Sequence, residues 1–179
     1  MNATQFLIGT LIDLYMMVVL LRLWLQLAQA DFYNQFSQFI VKATHPIVGP
    51  MRRIIPSIGR LDTATLVLAI LLAMLKITLL NMLVGVPINL PGLLIGASLS
   101  VLQEAFTIVF WVLIIRALLS WVSQGNNPIE YVLTQLTEPL LAPIRRIIPA
   151  TGGFDFSILI AIIALQFVQI LIQDILRGM

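Results

Sequence analysis

Pro46-Ile47-Val48-Gly49-Pro50-Met51-Arg52-Arg53-Ile54-Ile55-Pro56-Ser57-Ile58-Gly59 returns later in the chain as Pro139-Leu140-Leu141-Ala142-Pro143-Ile144-Arg145-Arg146-Ile147-Ile148-Pro149-Ala150-Thr151-Gly152. The offset is 93. It carries outward, placing Asn34 on Asn127, Asp62 on Asp155 and, with a one-residue gap, Arg22 on Arg116. The chain is therefore one unit written twice. Three prolines at fixed offsets predict a rigid non-helical turn in each copy that presents two guanidiniums beside two isoleucines.

Each copy of this polar segment lies between long apolar runs. Crossing about 30 Å of hydrocarbon takes ~20 apolar helical residues, and four windows meet that demand: Gln5–Leu27, Thr63–Val86, Leu99–Val122 and Phe156–Leu176. The expected fold is all-α and integral to a membrane. It has four transmembrane helices arranged as two tandem hairpins, the first within residues 1–90 and the second within 95–179. Because each unit holds an even number of spans, the copies run parallel and both Arg-Arg segments face one side. Pro87, Pro91 and Gly92 predict that the uncharged link 87–98 is not continuous helix and lies in the interface or dips into the membrane.

Composition supports this reading and narrows the function. Of 179 residues, 60% are hydrophobic and 10% charged, against ~25% charged in ordinary soluble domains, and the mean hydropathy is +1.03. Ten basic against eight acidic residues leave a net charge of +2, too little for a nucleic-acid partner held through phosphates. The absence of Cys and the single His, His45, exclude disulfides, thiolate metal sites and Cys nucleophiles. No metal or cofactor set and no positioned nucleophile is expected, so the chain does not read as an enzyme. Ala28-Gln29-Ala30 has the look of a signal-peptidase site, but no Lys or Arg precedes Arg22 and Asp13 sits where an uninterrupted apolar run would be needed. The first helix is expected to stay.

Ahead of each Pro-rich motif the sequence predicts a short amphipathic helix lying in the interface. Phe36, Phe39, Ile40 and Ala43 form its apolar face in the first copy, and Ile129, Val132, Leu133 and Leu136 in the second. Asn34 and Asn127 take the N-cap positions, with Pro128 and Glu130 following in the second copy. Asp62 and Asp155 are expected to cap the spans that follow and to hold the arginines. Arg52, Arg53, Arg145 and Arg146 read as contacts for anionic phospholipid head groups, with a dedicated anionic-ligand or protein site as the other reading. Asp13, Arg22, Lys76, Glu104 and Arg116 fall inside spans, where an unpaired charge is costly. Arg22 and Arg116 are placed to snorkel toward the Arg-Arg side. Asp13 and Lys76 sit at similar depth on adjacent antiparallel helices, so they are expected to pair; the second copy has Thr107 and Gln169 instead. A proton or ion relay is the functional alternative to a structural pair.

The duplicated motif, together with Arg22-Leu-Trp24, Asp31-Phe32-Tyr33-Asn34, Trp121-Val-Ser-Gln-Gly125 and Pro128-Ile-Glu-Tyr-Val-Leu133, resembles the bacterial YggT family, which has chloroplast relatives of the YlmG type. The resemblance covers nearly the whole chain. It implies an inner-membrane protein linked to tolerance of osmotic or extracytoplasmic stress, with relatives associated with cytochrome complex assembly, division and nucleoid distribution. No catalytic residue is carried over with it. The expected function is a non-enzymatic membrane factor that assembles or stabilises other membrane components, with a membrane-protein partner or a second copy of the chain. The alternative is a transporter or channel component, for which Asp13, Lys76, Glu104, Gln166, Gln169 and Gln173 are the polar groups available. Lys42, Arg52, Arg53, Arg60, Arg145 and Arg146 against Arg177 predict cytoplasmic Arg-Arg segments and periplasmic termini.

Overall fold

The structure, a computed structural model, describes residues 2–122, 128–147 and 156–178. Among them the protein is all-helical: α1 (Ala3–Leu27), α2 (Gln35–Ile54), α3 (Thr63–Val84), α4 (Leu90–Val122), α5 (Pro128–Ile147) and α6 (Phe156–Gly178). Four of these are long and apolar enough to cross a membrane, over Ala3–Leu27, Thr63–Val84, Leu90–Leu119 and Phe156–Leu176. The chain is a multi-pass membrane protein. It divides into two compact units, Met1–Ala105 and Phe106–Met179.

In the first unit α1 packs along α3, and α2 packs against both. Thr65, Ala69 and Ala73 are fully buried at successive four-residue steps on α3. Small side chains at this spacing let two apolar helices approach closely where lipid supplies no hydrophobic drive. The inner face of α1 carries Met16, Val19, Leu20 and Leu23, while Phe6, Leu7, Leu11 and Leu14 turn outward and stay exposed. In the second unit Leu113 of α4, Leu141 of α5 and Ile158 and Ala161 of α6 form one buried cluster.

The helix ends follow local chemistry. Asn34 caps α2 by accepting from the Ser37 amide at 2.8 Å, and Asp62 caps α3. Gly85 ends α3 in the left-handed region at φ 73°, a conformation that costs glycine nothing. Asn127 and Asp155, expected caps of the second copy, lie outside the described residues, as do Pro149 and Gly152.

The prolines do not act as the sequence predicts. Pro46 and Pro50 lie inside α2, Pro139 and Pro143 inside α5, and each Arg-Arg pair forms the last helical turn rather than a rigid Pro-rich loop. Four-residue spacing puts Pro46 and Pro50 on one exposed side of α2, so the lost amide donors fall away from the face that packs. Pro56 is the residue that stops α2. The helix ends at Ile54 and Ile55 is extended, as the residue before a proline prefers. The two cations at each helix C-terminus meet the negative end of the helix dipole.

The link between the repeats is also shorter than expected. Helix α4 starts at Leu90, so the non-helical connection after α3 covers only residues 85–89. Asn89 caps it, its side-chain oxygen accepting from the Gly92 amide at 2.6 Å. Pro91 then sits in the first turn, where its missing donor has no intrahelical acceptor to lose.

Candidate functional site

The packed face of α2 is Ser37, Ile40, Thr44 and Val48, a stripe rotated from the apolar face read in the sequence. Ile40 belongs to both, but Phe39 is 63% exposed. In α5 the buried stripe includes Val132, Leu133, Leu136, Thr137 and Leu141, with Ile129 exposed. Each buried stripe contains one threonine, and each threonine meets an arginine of the preceding span. Arg22 Nη1 donates to Thr44 Oγ1 at 2.7 Å and to the Val41 carbonyl at 3.5 Å. Arg116 Nη1 likewise donates to Thr137 Oγ1. Thr44 and Thr137 each pass their own proton one turn back, to the Ile40 and Leu133 carbonyls at 2.7 Å.

Arg22 and Arg116 are thus 3% and 7% exposed, and they do not snorkel outward as expected. A bilayer favours snorkelling only when nothing nearer satisfies the guanidinium. Here a threonine hydroxyl on the amphipathic helix does so. Thr44 and Thr137 were missed in the sequence although the same offset of 93 relates them.

In each Arg-Arg pair the first arginine bonds to a carboxylate of its own unit, although the Arg52 side chain remains 38% exposed. Arg52 reaches Asp62 Oδ2 through Nη2 at 2.5 Å and Nε at 3.1 Å, and Gln26 Oε1 through Nη2 at 2.8 Å. Arg53 is exposed. Asp62 is fully buried and also accepts from the Thr65 amide at 3.4 Å and from the Thr65 hydroxyl. Burial pushes the Asp62 carboxyl up, but hydrogen bonds from Arg52 and Thr65 and the adjacent guanidinium charge outweigh it and hold it below its ordinary value. In the second copy Arg145 Nη1 donates to Glu138 Oε1 and Oε2 at 3.0 and 2.9 Å, and Arg146 is exposed. Glu138 Oε2 lies 3.4 Å from Arg116 Nη2, so one carboxylate spans both arginines.

Within the first unit the structure brings Asp13 and Lys76 together. Lys76 Nζ lies 2.7 Å from both carboxylate oxygens of Asp13, with side chains 26% and 33% exposed. Gly9, one turn before Asp13 on α1, packs beside the lysine stem, where a Cβ would stand at ordinary contact, 3.9 Å from Lys76 Cε. Glu104 is near enough to feel both charges. His45 is exposed, its ring over Gly49, and no group of three metal-ligating side chains occurs among the described residues.

A cavity of about 570 Å³ opens between α1 and α2, lined by Arg22, Gln26, Phe32, Gln38, Val41, Lys42 and Arg52. None of these described lining residues is acidic, and three are cations. Chemically it offers charge-assisted donors beside an apolar wall.

Comparison with known proteins agrees with the architecture. The CCB3/YggT family model matches residues 1–83 and 95–176. A Vibrio alginolyticus protein described as "Uncharacterized protein in proC 3'region" is 57% identical, covering 98% of this chain and 96% of that protein. "Uncharacterized protein YggT" of Escherichia coli strain K12 is 48% identical over 99% of this chain and 93% of its own length. A Haemophilus influenzae relative is 40% identical over the whole chain and 96% of its own length. No solved structure matches. With the family's two matched segments falling on the two halves of a duplicated, four-span chain, the protein belongs to the CCB3/YggT family.

Proposed function

We propose that the protein is a non-enzymatic factor of the bacterial inner membrane that supports the response to osmotic or extracytoplasmic stress by assembling or stabilising other membrane components. The observation carrying this reading is the use made of charge inside the spans. Both oxygens of Asp13 are taken by Lys76 at 2.7 Å, so the pair closes on itself and locks α1 to α3. A transport path needs ionisable groups facing a lumen. The outward arginines, Arg53 and Arg146, are the residues for anionic phospholipid head groups, while Arg52 and Arg145 turn to Asp62 and Glu138. This arrangement goes with Arg-Arg helix ends in the cytoplasm and termini in the periplasm, the orientation that the loop charges favour.

The experiment is reconstitution of the purified protein into vesicles, with ion and osmolyte flux measured alongside co-purification from membranes and rescue of growth at high osmolarity. Rescue with a co-purifying membrane component and no flux supports the assembly role. The second reading, a transporter or channel component, is favoured by Glu104, a second intramembrane carboxyl within electrostatic range of Asp13 and Lys76. Flux that is lost in Glu104→Gln supports transport and overturns the assembly role.

A further inference from the structure

The two repeats treat the same pair of arginines differently. In the second copy Glu138 spans Arg116 and Arg145. The offset of 93 places His45 at that position in the first copy, seven residues before Arg52 as Glu138 is seven before Arg145, and so on the same helix face two turns away. His45 brings no carboxylate. Its ring lies instead over Gly49, where a Cβ would stand 3.3 Å from Cε1. The space between Arg22 and Arg52 is the cavity of about 570 Å³, bordered also by Lys42.

We propose that this cavity binds the phosphate of an anionic glycerophospholipid, which does in the first copy what Glu138 does in the second. Four features support it. The donors are unspent: among the described residues Arg22 bonds only through Nη1 and Arg52 through Nε and Nη2, leaving Arg22 Nη2 and Arg52 Nη1 for an incoming oxygen. The charge is only partly compensated: three cations, Arg22, Lys42 and Arg52, line the cavity, against the one carboxylate of Asp62, which bonds to Arg52 and whose charge also reaches Arg22. Arg22 is 3% exposed, and a buried guanidinium gains far more from an anion than one in water does. Phe32 and Val41 supply an apolar flank that suits an acyl chain rather than a free ion. Arg22 lies five residues from the C-terminal end of α1, about 7.5 Å along the axis, the depth at which a head group meets its chains.

This site is separate from the exposed Arg53 and Arg146. The experiment counts phosphatidylglycerol retained by detergent-purified protein in native mass spectrometry, with phosphatidylcholine and inorganic phosphate as comparison arms. The expected result is one retained phosphatidylglycerol that phosphatidylcholine does not replace. His45→Glu imports the second copy's carboxylate and is expected to abolish retention while the lipid-free melting temperature holds or rises. Lys42→Gln, at an exposed position, is expected to weaken binding about five-fold. Arg53→Gln with Arg146→Gln is expected to keep the retained lipid, even if head-group contact at the surface is lost. Undiminished retention in His45→Glu overturns the proposal, and displacement of the lipid by inorganic phosphate overturns the lipid as its source.

Discussion

Removing one hydroxyl should loosen a whole helix. In Thr44→Val the side chain keeps its shape, but Arg22 Nη1 loses its 2.7 Å acceptor and retains only the Val41 carbonyl at 3.5 Å. A hydrogen bond to a charged group contributes about 1.5–3 kcal/mol. Arg22 borders a cavity into which water can enter, which places the loss at the lower end. About 1.5 kcal/mol corresponds to a roughly ten-fold rise in the equilibrium for α2 undocking. The protein contains no Cys, so Val48→Cys, at a fully buried site on the packed face of α2, reports undocking by its rate of thiol modification. Under conditions where reclosing outruns modification, that rate tracks the open population. Thr44→Val should raise it about ten-fold, whereas Ser98→Ala, which removes an exposed hydroxyl bonded only to its own helix, should leave it unchanged. Thr137→Val, reported from Leu141→Cys, should show a smaller rise because Arg116 keeps Glu138 at 3.4 Å. An unchanged rate in Thr44→Val would refute the reasoning and leave α2 held by its apolar packing and by the bonds of Arg52 to Asp62 and Gln26.

Asp62 titrates below its ordinary value in the folded protein, so its stabilising contribution is complete above the unfolded value of ~3.9 and is lost as pH falls through the lower folded value; Asp62→Asn should lower stability at neutral pH and remove that acid-dependent loss in a melting series. Asp13→Thr and Lys76→Gln, the second copy's own residues, should each reduce membrane abundance, while the double variant recovers much of it with a coupling of about 0.5–3 kcal/mol in stability; additive losses would show two independent charges. Single cysteines at positions 57 and 151 should resist impermeant thiol reagents in intact spheroplasts and react after lysis, and labelling from outside would reverse the orientation.

The spans were legible because a hydrocarbon slab demands apolar length, and Ala3–Leu27 and Thr63–Val84 fall close to their expected bounds. Which side of each span packs was not legible, because helices apolar all round carry no periodic signal; the buried Thr65, Ala69 and Ala73 stripe shows only as small residues four apart. Proline misled the reading twice. Pro46 and Pro50 were expected to break a helix that instead sets both on its exposed side, and Pro91 was expected to interrupt a link that is already the first turn of α4. In both places position within the helix, not residue type, decided the outcome. Asp62 as cap and arginine partner followed from its place before Thr63 and Thr65. The Arg22–Thr44 bond was available from the repeat, but only by asking which polar residues recur together rather than which apolar ones do.

That question also separates what the duplication shares from what it does not. Arg with Thr is common to both copies and joins the first span of each repeat to its amphipathic helix, so this bond belongs to the architecture of the repeat itself. Asp13 with Lys76 has no charged counterpart at Thr107 and Gln169, and Glu138 has none at His45. The first copy therefore carries a charge pair within its spans and an open cationic cavity, while the second closes its arginines with its own carboxylate. Where two arginines already share a carboxylate, as Arg116 and Arg145 share Glu138, that pair does not call for a further anion. A repeat with three cations around a cavity does, and that asymmetry directs the search for a ligand to the first unit.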